Sequence, residues 1–316
     1  MKNLFVKIGQ LAFLGFWIGN PAIAATAKVT LSVVGDDGQP VSDYPVNAGF
    51  YAGDKYQGLT DTNGLFTMEG RAVHWEVNWT LQKEAYYRSQ VQYEFKGGIK
   101  DDKWQPWNPV VTAVVRRVVN PIPMFMKRVE AKIPVENAPF AFDLQSGDWV
   151  APYGSGFVSD LIFQVTRRVT SPNDYEGTLH LTFTNAFDGI QQTEGMIMDS
   201  AFPFPRLAAA AGYEAEYIYS HGNDPIKGYF GALVDDPKKY YLIRVRSVLD
   251  IEGKLKEALY GMLAGDIELT GVASADSVRI AFMYYLNPTP NDRNMEFDPK
   301  RNLFTDLPVG EQVREP

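Results

Sequence analysis

Oxygen-bearing side chains stand at every second position of one segment late in the chain. They are Asp292, Asn294, Glu296 and Asp298. Calcium binds several oxygen ligands, which carboxylate and amide groups supply in proteins. Phe297 occupies the position where an EF-hand loop needs glycine, so that motif is excluded. These residues are therefore a candidate calcium site of another type, but the sequence favours a loop in which they act as caps and turns.

Two tryptophans are the candidate ligand-binding residues. Trp104 and Trp107 lie in a proline-bounded segment, shortly after Tyr93 and Phe95. Flat aromatic rings beside amide groups are what a sugar-binding surface needs. Large aromatic side chains are also usually buried, so the pair would serve as well to close the end of a sandwich or a domain interface. The sequence leaves glycan binding and packing open at both residues.

Catalytic candidates are limited to paired carboxylates. Asp266 and Glu268 stand two positions apart, so they would share one face of a strand, and Asp250 and Glu252 have the same spacing. Two carboxylates that flank a glycosidic bond can hydrolyse it, but acids at alternate positions are also typical of a solvent-facing strand. The sequence favours a non-catalytic protein, and a glycan-active hydrolase with its carboxylate pair in the C-terminal domain is the alternative.

Other chemistry finds little support in the composition. The chain has no cysteine and only three histidines, which are far apart in sequence. Thiol nucleophiles and disulfides are excluded, and a histidine metal cluster is not expected. Glycine loops of the Walker or Rossmann type, which would hold a nucleotide, do not occur. No cofactor other than calcium is therefore predicted.

The charge balance argues against nucleic acid as a partner. The chain has 30 lysines and arginines against 38 aspartates and glutamates, a formal net charge of −8. Without a run of basic residues, neither nucleic-acid phosphates nor anionic lipids are attracted electrostatically. Apolar residues make up 45% of the chain and aromatic residues 13%, which indicates a folded protein. The expected partners are glycan or another envelope protein, and the oligomeric state is left open.

The first residues have the pattern of a secretory signal peptide. Lys2 and Lys7 precede an apolar run from Leu11 to Ile18, and Ala22-Ile23-Ala24 has the small-x-small pattern that precedes a cleavage site. We predict a signal peptide at residues 1–25 and a mature protein without a membrane span. The protein is then exported, to the periplasm or the medium.

Alternating apolar residues indicate an antiparallel sandwich after this signal. The clearest pattern predicts one buried strand face, made of Val73, Trp75, Val77, Trp79 and Leu81. Asn63 and Gly64 supply the two residues that a tight hairpin prefers. Short strands separated by turn signals are typical of an all-β domain.

This region resembles the carboxypeptidase regulatory-like family of transthyretin-like sandwiches. The resemblance rests on Asp37–Val41, on Gly58–Phe66 and on Lys83–Tyr87, and it covers under a third of the chain. Ala85 stands where the family usually has glycine, which puts only a turn in doubt. The resemblance implies a non-catalytic accessory module and brings no catalytic residues with it.

A proline-rich stretch marks the predicted end of this sandwich. Pro121 and Pro123 cannot donate to a strand ladder, so we place the first domain at 26–119 and a second domain of unknown function at 120–316. The second domain also alternates apolar and polar residues, which predicts a β-sandwich or jelly roll. The fold class is therefore all-β, with two antiparallel sandwich domains.

Two segments of the second domain, 206–212 and 252–260, have enough helical character to form short helices. The closing stretch from Tyr284 to Phe304 resembles the C-terminus of uncharacterised exported bacterial proteins, a likeness that implies no activity. The sequence as a whole predicts an exported, non-catalytic β-sandwich protein. Its role would be binding or structural, at the cell envelope or outside the cell, with glycan as the candidate ligand.

Overall fold

The computed structural model describes residues 24–193, 197, 199–231, 240–274 and 278–313. The described chain is built almost entirely from β-strands, which confirms the predicted all-β class. None of its helical segments has the length and apolar character needed to cross a bilayer. Apart from Ala24 and Ala25, the predicted signal peptide lies outside the described residues, and Ala25 is the buried first residue of the first strand.

The chain divides into two compact units. Unit 1 contains the residues up to Gln82 together with Gln90–Ala113, and unit 2 contains Lys83–Ser89 together with Val114–Pro316. The polypeptide therefore enters unit 2 briefly, returns to unit 1 and then enters unit 2 again. The division into domains 26–119 and 120–316 stays a prediction.

Nine strands lie in or border unit 1. They are β1 (Ala25–Gly35), β2 (Pro45–Phe50), β3 (Lys55–Leu59), β4 (Leu65–Ala72), β5 (Glu76–Leu81), β6 (Ser89–Glu94), β7 (Ile99–Lys100), β8 (Lys103–Trp104) and β9 (Val110–Val115). One sheet has the order β4-β1-β8-β7, with β9 also paired to β1, and the other has the order β3-β2-β5-β6. This arrangement confirms the sandwich type that the turn signals predict.

Side-chain alternation explains the buried faces of unit 1 except at the start of the predicted β5 pattern, where Val73 is half-buried and Trp75 is exposed. Val77, Trp79 and Leu81 of β5 are buried, as the sequence pattern predicts. The pattern is wrong for Trp75, because β5 begins at Glu76 and the chain bends before it. Trp75 therefore lies outside the strand ladder and is exposed.

Unit 2 contains the remaining strands. They are β10 (Ile122–Lys132), β11 (Phe140–Asp143), β12 (Asp148–Trp149), β13 (Leu161–Ser171), β14 (Asp174–Thr182), β15 (Gly189–Thr193), β16 (Glu216–Asp224), β17 (Gly228–Phe230), β18 (Tyr240–Leu249), β19 (Leu255–Ala264), β20 (Glu268–Thr270), β21 (Arg279–Leu286) and β22 (Phe297–Asn302). A single 3-10 turn, Val309–Glu311, follows them. The larger sheet has the order β15-β18-β19-β21-β10-β22, with β20 paired to β21, and the smaller has the order β12-β11-β13-β14-β16-β17.

The larger sheet of unit 2 is buried on its inner face and over part of its outer face. Its inner face packs against the smaller sheet, where Phe163 and Leu179 meet Ile243 and Phe282 in one apolar cluster. Its outer face carries a second cluster, in which Phe202 and other residues of the β15–β16 connection cover part of the sheet. This double burial explains why β18 is almost continuously buried instead of alternating.

The two predicted short helices are wrong. In 252–260, Asp250 turns the chain by accepting hydrogen bonds from the backbone N–H groups of Glu252 and Lys254, both at 2.9 Å. Gly253 has a φ of 75°, which closes this hairpin before β19 begins at Leu255. The segment 206–212 is irregular and packs its alanines onto the second cluster. Tertiary packing therefore overrides weak local helix propensity at both places.

Candidate functional site

Glu296, a predicted calcium ligand, is the centre of a buried hydrogen-bond network in unit 2. It is 2% exposed and accepts hydrogen bonds from the Tyr87 hydroxyl at 2.8 Å and from the backbone N–H groups of Val119 at 2.9 Å and Asn120 at 2.7 Å. Arg206 pairs with it at 3.3 Å. Burial, together with this hydrogen bond, raises the pKa of Tyr87 well above its ordinary value. The carboxylate thus joins the two segments of unit 2 that precede and follow Gln90–Ala113 in the chain.

The other three predicted calcium ligands bond to nearby protein groups. Asp292 accepts a hydrogen bond from the backbone of Asn294, and Asn294 in turn accepts one from the backbone of Glu296. Asp298 pairs with Arg301 at 2.7 Å. Among the described residues, no group of three or more acidic, histidine or cysteine side chains is arranged to hold a metal ion. The calcium site therefore stays a prediction, and the turn and capping roles are the ones that the structure displays.

The two candidate tryptophans have different environments in unit 1. Trp104 is 7% exposed, donates a hydrogen bond from its indole nitrogen to the Ala72 carbonyl at 3.1 Å, and packs near Phe95. Trp107 is half-buried, with the Lys103 ammonium 4.8 Å from its ring centroid. Trp104 thus belongs to the core, and ligand binding at Trp107 stays a prediction.

An exposed aromatic surface lies elsewhere in unit 1, and we define it by Tyr51, His74 and Trp75. The ring centroids of His74 and Trp75 are 4.0 Å apart, and those of Tyr51 and His74 are 5.2 Å apart. Tyr51 is 55% exposed and Trp75 is 46% exposed. The Nδ1 atom of His74 is shielded from solvent and has no hydrogen-bond partner among the described residues. The rings are contiguous and face solvent, unlike the pair that the sequence singled out.

Local backbone bonds position this aromatic surface. Tyr51 donates its backbone N–H to the carbonyl of Glu76 at 2.9 Å, which joins the β2–β3 turn to the start of β5. Glu76 and Asn78 project from one face of β5, and their side chains hydrogen bond at 2.6 Å. A carboxylate and an amide thus lie on the strand that follows the rings. Sequence reasoning missed this surface because strict alternation placed Trp75 in the core; the signal was the His74-Trp75 pair just beyond the strand.

A cleft of about 660 Å³ lies on the outer face of the larger sheet in unit 2. Asp266 and Glu268, one of the two predicted carboxylate pairs, both line it, together with Arg128 and Glu130 of β10. Ala281 forms its floor between the two acids, because Glu268 and Glu130 are each paired with Ala281 across neighbouring strands. The Cα atoms of these two glutamates are therefore about 10 Å apart. The Tyr241 hydroxyl donates to Asp266 at 2.8 Å, which orients that carboxylate.

The other predicted pair does not form a site. Asp250 is committed to the β18–β19 hairpin, and Glu252 pairs with Lys254 at 2.6 Å in an exposed position. Neither residue lies on a strand, so the shared face that their spacing predicted is absent from the described structure. The spacing of Asp250 and Glu252 was interpreted as that of a strand, whereas both residues lie in a turn.

Two buried carboxylates form an ion-pair cluster with an arginine, which we define as Asp143, Asp160 and Arg246. The guanidinium of Arg246 contacts Asp143 at 2.7 Å and Asp160 at 2.8 Å. Burial raises the pKa of Asp160. Burial also acts to raise the pKa of Asp143, but hydrogen bonds from backbone N–H groups, chiefly that of Phe157, outweigh it and lower the pKa to about 2. Because the carboxylate oxygens already bond to protein groups, this cluster is structural.

The comparisons with known proteins yield only weak similarities. No family model and no curated protein matches the chain. It is similar to a DUF3823 family protein from Parabacteroides merdae at 8% identity, over 87% of this chain and 100% of that one, with a TM-score of 0.22. It is similar to BcpA, the major pilin subunit of Bacillus cereus, at 12% identity, over 81% and 95% of the two chains, with a TM-score of 0.23.

A third similarity covers less of both molecules. The chain is 17% identical to a 3-chlorocatechol 1,2-dioxygenase from Rhodococcus opacus over 30% of its own length, with a TM-score of 0.23, and spans 60% of the dioxygenase chain. Structural similarities at this level carry no argument about function.

Proposed function

We propose that this protein is an exported, non-catalytic binding protein that acts at the cell envelope or outside the cell. Its ligand is carbohydrate, and the aromatic surface of Tyr51, His74 and Trp75 binds it. The observation that carries the proposal is the exposure of the Tyr51 and Trp75 rings, which are joined by the half-buried ring of His74, in a unit whose other large aromatics are mostly packed inside. The resemblance of this region to carboxypeptidase regulatory-like sandwiches agrees with an accessory, non-catalytic role.

The chemistry of the surface suits a sugar. The apolar face of a pyranose ring stacks on flat aromatic side chains, and its hydroxyls need hydrogen-bonding partners beside them. Trp75 and Tyr51 supply the rings, and Glu76 and Asn78 supply polar groups on the adjoining strand. An exposed aromatic patch of this kind is a typical recognition surface.

The test is a polysaccharide and glycan array with the chain that begins at Ala25. Trp75→Ala and Tyr51→Ala remove the two exposed rings, and we expect each to weaken binding at least about tenfold, the loss of one good aromatic contact. Trp107→Ala is the matched control, because it removes a partly exposed tryptophan of the same unit outside the aromatic surface. The Trp107→Ala variant should bind like the unmodified chain.

The results of the array distinguish an error in the position of the binding site from an error in the proposed carbohydrate ligand. Loss of binding in Trp107→Ala with normal binding in Trp75→Ala would move the carbohydrate site to the tryptophan predicted from sequence. No binding to any glycan by the unmodified chain would overturn the carbohydrate proposal. Circular dichroism of each variant confirms that the fold is retained.

A glycan-active hydrolase is the second candidate, and the cleft of unit 2 favours it. Glu268 and Glu130 lie across Ala281 from each other, and glycosidases of the inverting type hold their two carboxyl groups about 6.5–9.5 Å apart. Incubating the chain with polysaccharides and measuring new reducing ends tests this candidate. Activity that disappears in Glu268→Gln would establish hydrolysis, and absence of reducing ends with every substrate would remove the candidate.

A further inference from the structure

One end of unit 2 presents apolar side chains to solvent from three connections between strands. They lie in the β12–β13 loop, the β14–β15 loop and the β18–β19 hairpin, and we call them the apolar end: Phe157, Val158, Phe187, Val248, Leu249 and Ile251. Phe157 is 88% exposed and Ile251 is 105% exposed, so these two side chains project almost completely. Isolated exposed apolar residues are ordinary, but a group at one end of a sandwich marks an interaction site.

Hydrogen bonds show that the three connections are neighbours. The hydroxyl of Thr184 donates to the carbonyl of Ser159 at 2.6 Å, which joins the first two loops. The backbone N–H of Ser247 donates to Asp188 at 2.8 Å, which joins the second loop to the β18–β19 hairpin. The guanidinium of Arg246 in β18 donates to Asp143, which in turn accepts from the β12–β13 loop, so the hairpin is also joined to the first loop.

The ion-pair cluster holds the backbone behind these side chains. Asp143 accepts hydrogen bonds from the N–H groups of Phe157 at 3.0 Å and Val158 at 3.1 Å. In the hairpin, the carboxylate of Asp250 accepts from two backbone N–H groups in the same way. Because these polar groups are already bonded within the protein, moving the apolar end into a water-poor environment would leave few of them unsatisfied. The rigid backbone also means that little ordering accompanies such a transfer.

We propose that the apolar end inserts into the interfacial region of a lipid bilayer with neutral headgroups. Side chains that project this fully can enter between lipid headgroups without a partner of complementary shape, whereas a protein partner needs a fitted surface with a polar rim. Two ion pairs lie at this end, since Lys254 pairs with Glu252 at 2.6 Å and Arg246 pairs with two aspartates, while Asp188 and Asp250 accept hydrogen bonds from backbone N–H groups. The net charge of −8 gives no attraction to anionic lipid, so apolar transfer is the driving force.

The test is co-sedimentation of the chain that begins at Ala25 with phosphatidylcholine vesicles that contain no glycan. The double variant Phe157→Ser with Ile251→Ser should reduce partitioning about a hundredfold, because each large apolar side chain contributes roughly a factor of ten on transfer. Replacing phosphatidylcholine with anionic lipid, or adding salt, should not strengthen binding.

A matched control comes from the opposite end of the smaller sheet. Val169 and Ile226 are also exposed, at 45% and 95%, but they lie near the far ends of β13 and β16. The double variant Val169→Ser with Ile226→Ser should partition like the unmodified chain. Both double variants change only exposed side chains, so circular dichroism should show the native fold for each.

Three outcomes would overturn the proposal. The first is no binding of the unmodified chain to the vesicles, and the second is an equal loss of binding in the two double variants. The third is self-association in the absence of lipid that Phe157→Ser with Ile251→Ser abolishes, since the apolar end would then be an interface between copies of the chain. Loss of vesicle binding confined to Phe157→Ser with Ile251→Ser supports membrane insertion.

Discussion

The carboxylates of unit 2 form two groups, one buried and one exposed. The two groups look alike in sequence because both consist of aspartate and glutamate. Asp143, Asp160 and Glu296 are buried, and both oxygens of each accept hydrogen bonds from protein groups. Glu130 and Glu268 instead line an open cleft and are exposed. The comparison teaches that an acid in this protein serves the fold where it is buried and both of its oxygens accept hydrogen bonds, whereas Glu130 and Glu268 are exposed in the cleft, where Glu130 also pairs with Arg279 at 3.4 Å.

The largest effect should come from removing the cation of the ion-pair cluster. Arg246→Met leaves Asp143 and Asp160 buried without their shared partner, which should lower the free energy of unfolding by about 3–5 kcal/mol. Arg168→Met is the matched control, because Arg168 pairs with Asp174 at 2.8 Å in an exposed position and should contribute no measurable stability. Urea denaturation of both variants measures the difference. Similar losses in the two would contradict the structural assignment of the cluster.

The same replacement in the two groups of carboxylates tests the comparison directly. Glu296→Gln puts an amide NH₂ where an oxygen now accepts from backbone N–H, so we expect a loss of about 2–4 kcal/mol. Glu268→Gln replaces an exposed side chain of the cleft and should change stability by less than about 0.5 kcal/mol. Thermal and urea unfolding measure both values. A large loss in Glu268→Gln would show that the cleft acid also serves the fold.

Acid should lower the free energy of unfolding through protonation of Asp143, one of the buried carboxylates. Its folded-state pKa of about 2 lies below the value near 3.9 in an unfolded chain, so its stabilisation is fully present above pH 4 and is lost as the pH falls through 2. The contribution is about 2.5 kcal/mol. Asp160 contributes to the pH dependence of stability with the opposite sign. Burial raises its pKa, so its protonation in acid relieves the buried charge.

The pH dependence is measured by urea unfolding between pH 5 and pH 2. In Asp143→Asn the part of the acid loss that belongs to Asp143 should disappear, so the unfolding free energy of that variant should fall less steeply with decreasing pH. An unchanged slope would mean that Asp143 is not the group that titrates.

Local patterns anticipated much of the fold. Alternation located the buried residues of β5, and turn signals indicated the sandwich class. The helices were wrong at 206–212 and 252–260, because Leu255 and Leu259 pack as strand residues of β19 and not along a helix face. Short amphipathic runs fit both the helical and the strand period of apolar residues, and only pairing with strands distant in sequence decides between the two structures.

The candidate site was harder to predict than the fold. Trp75 was assigned to the core because a strand pattern does not show at which residue the strand begins, and here it begins one residue later. Glu296 was named as a candidate metal ligand because the alternate spacing of oxygen-bearing side chains is visible in the sequence. The N–H groups that reach its carboxylate come from a distant segment, which the sequence does not show. The Glu130–Ala281–Glu268 row across three strands is set entirely by strand order, which one sequence does not reveal.

The smallest effect concerns the segment that Glu296 anchors through Tyr87. Ala85, two residues before Tyr87, has a φ of 62°, a left-handed conformation that costs a residue with a Cβ atom about 1–2 kcal/mol. Ala85→Gly removes this strain but adds freedom to the unfolded chain, which offsets part of the gain. We expect a net stabilisation of about 0.5–1 kcal/mol in urea unfolding. Ala113→Gly is the control and should destabilise, because Ala113 is a buried residue of β9 without a left-handed backbone. A loss of stability in Ala85→Gly would mean that the Ala85 methyl group contributes more through packing than its backbone conformation costs.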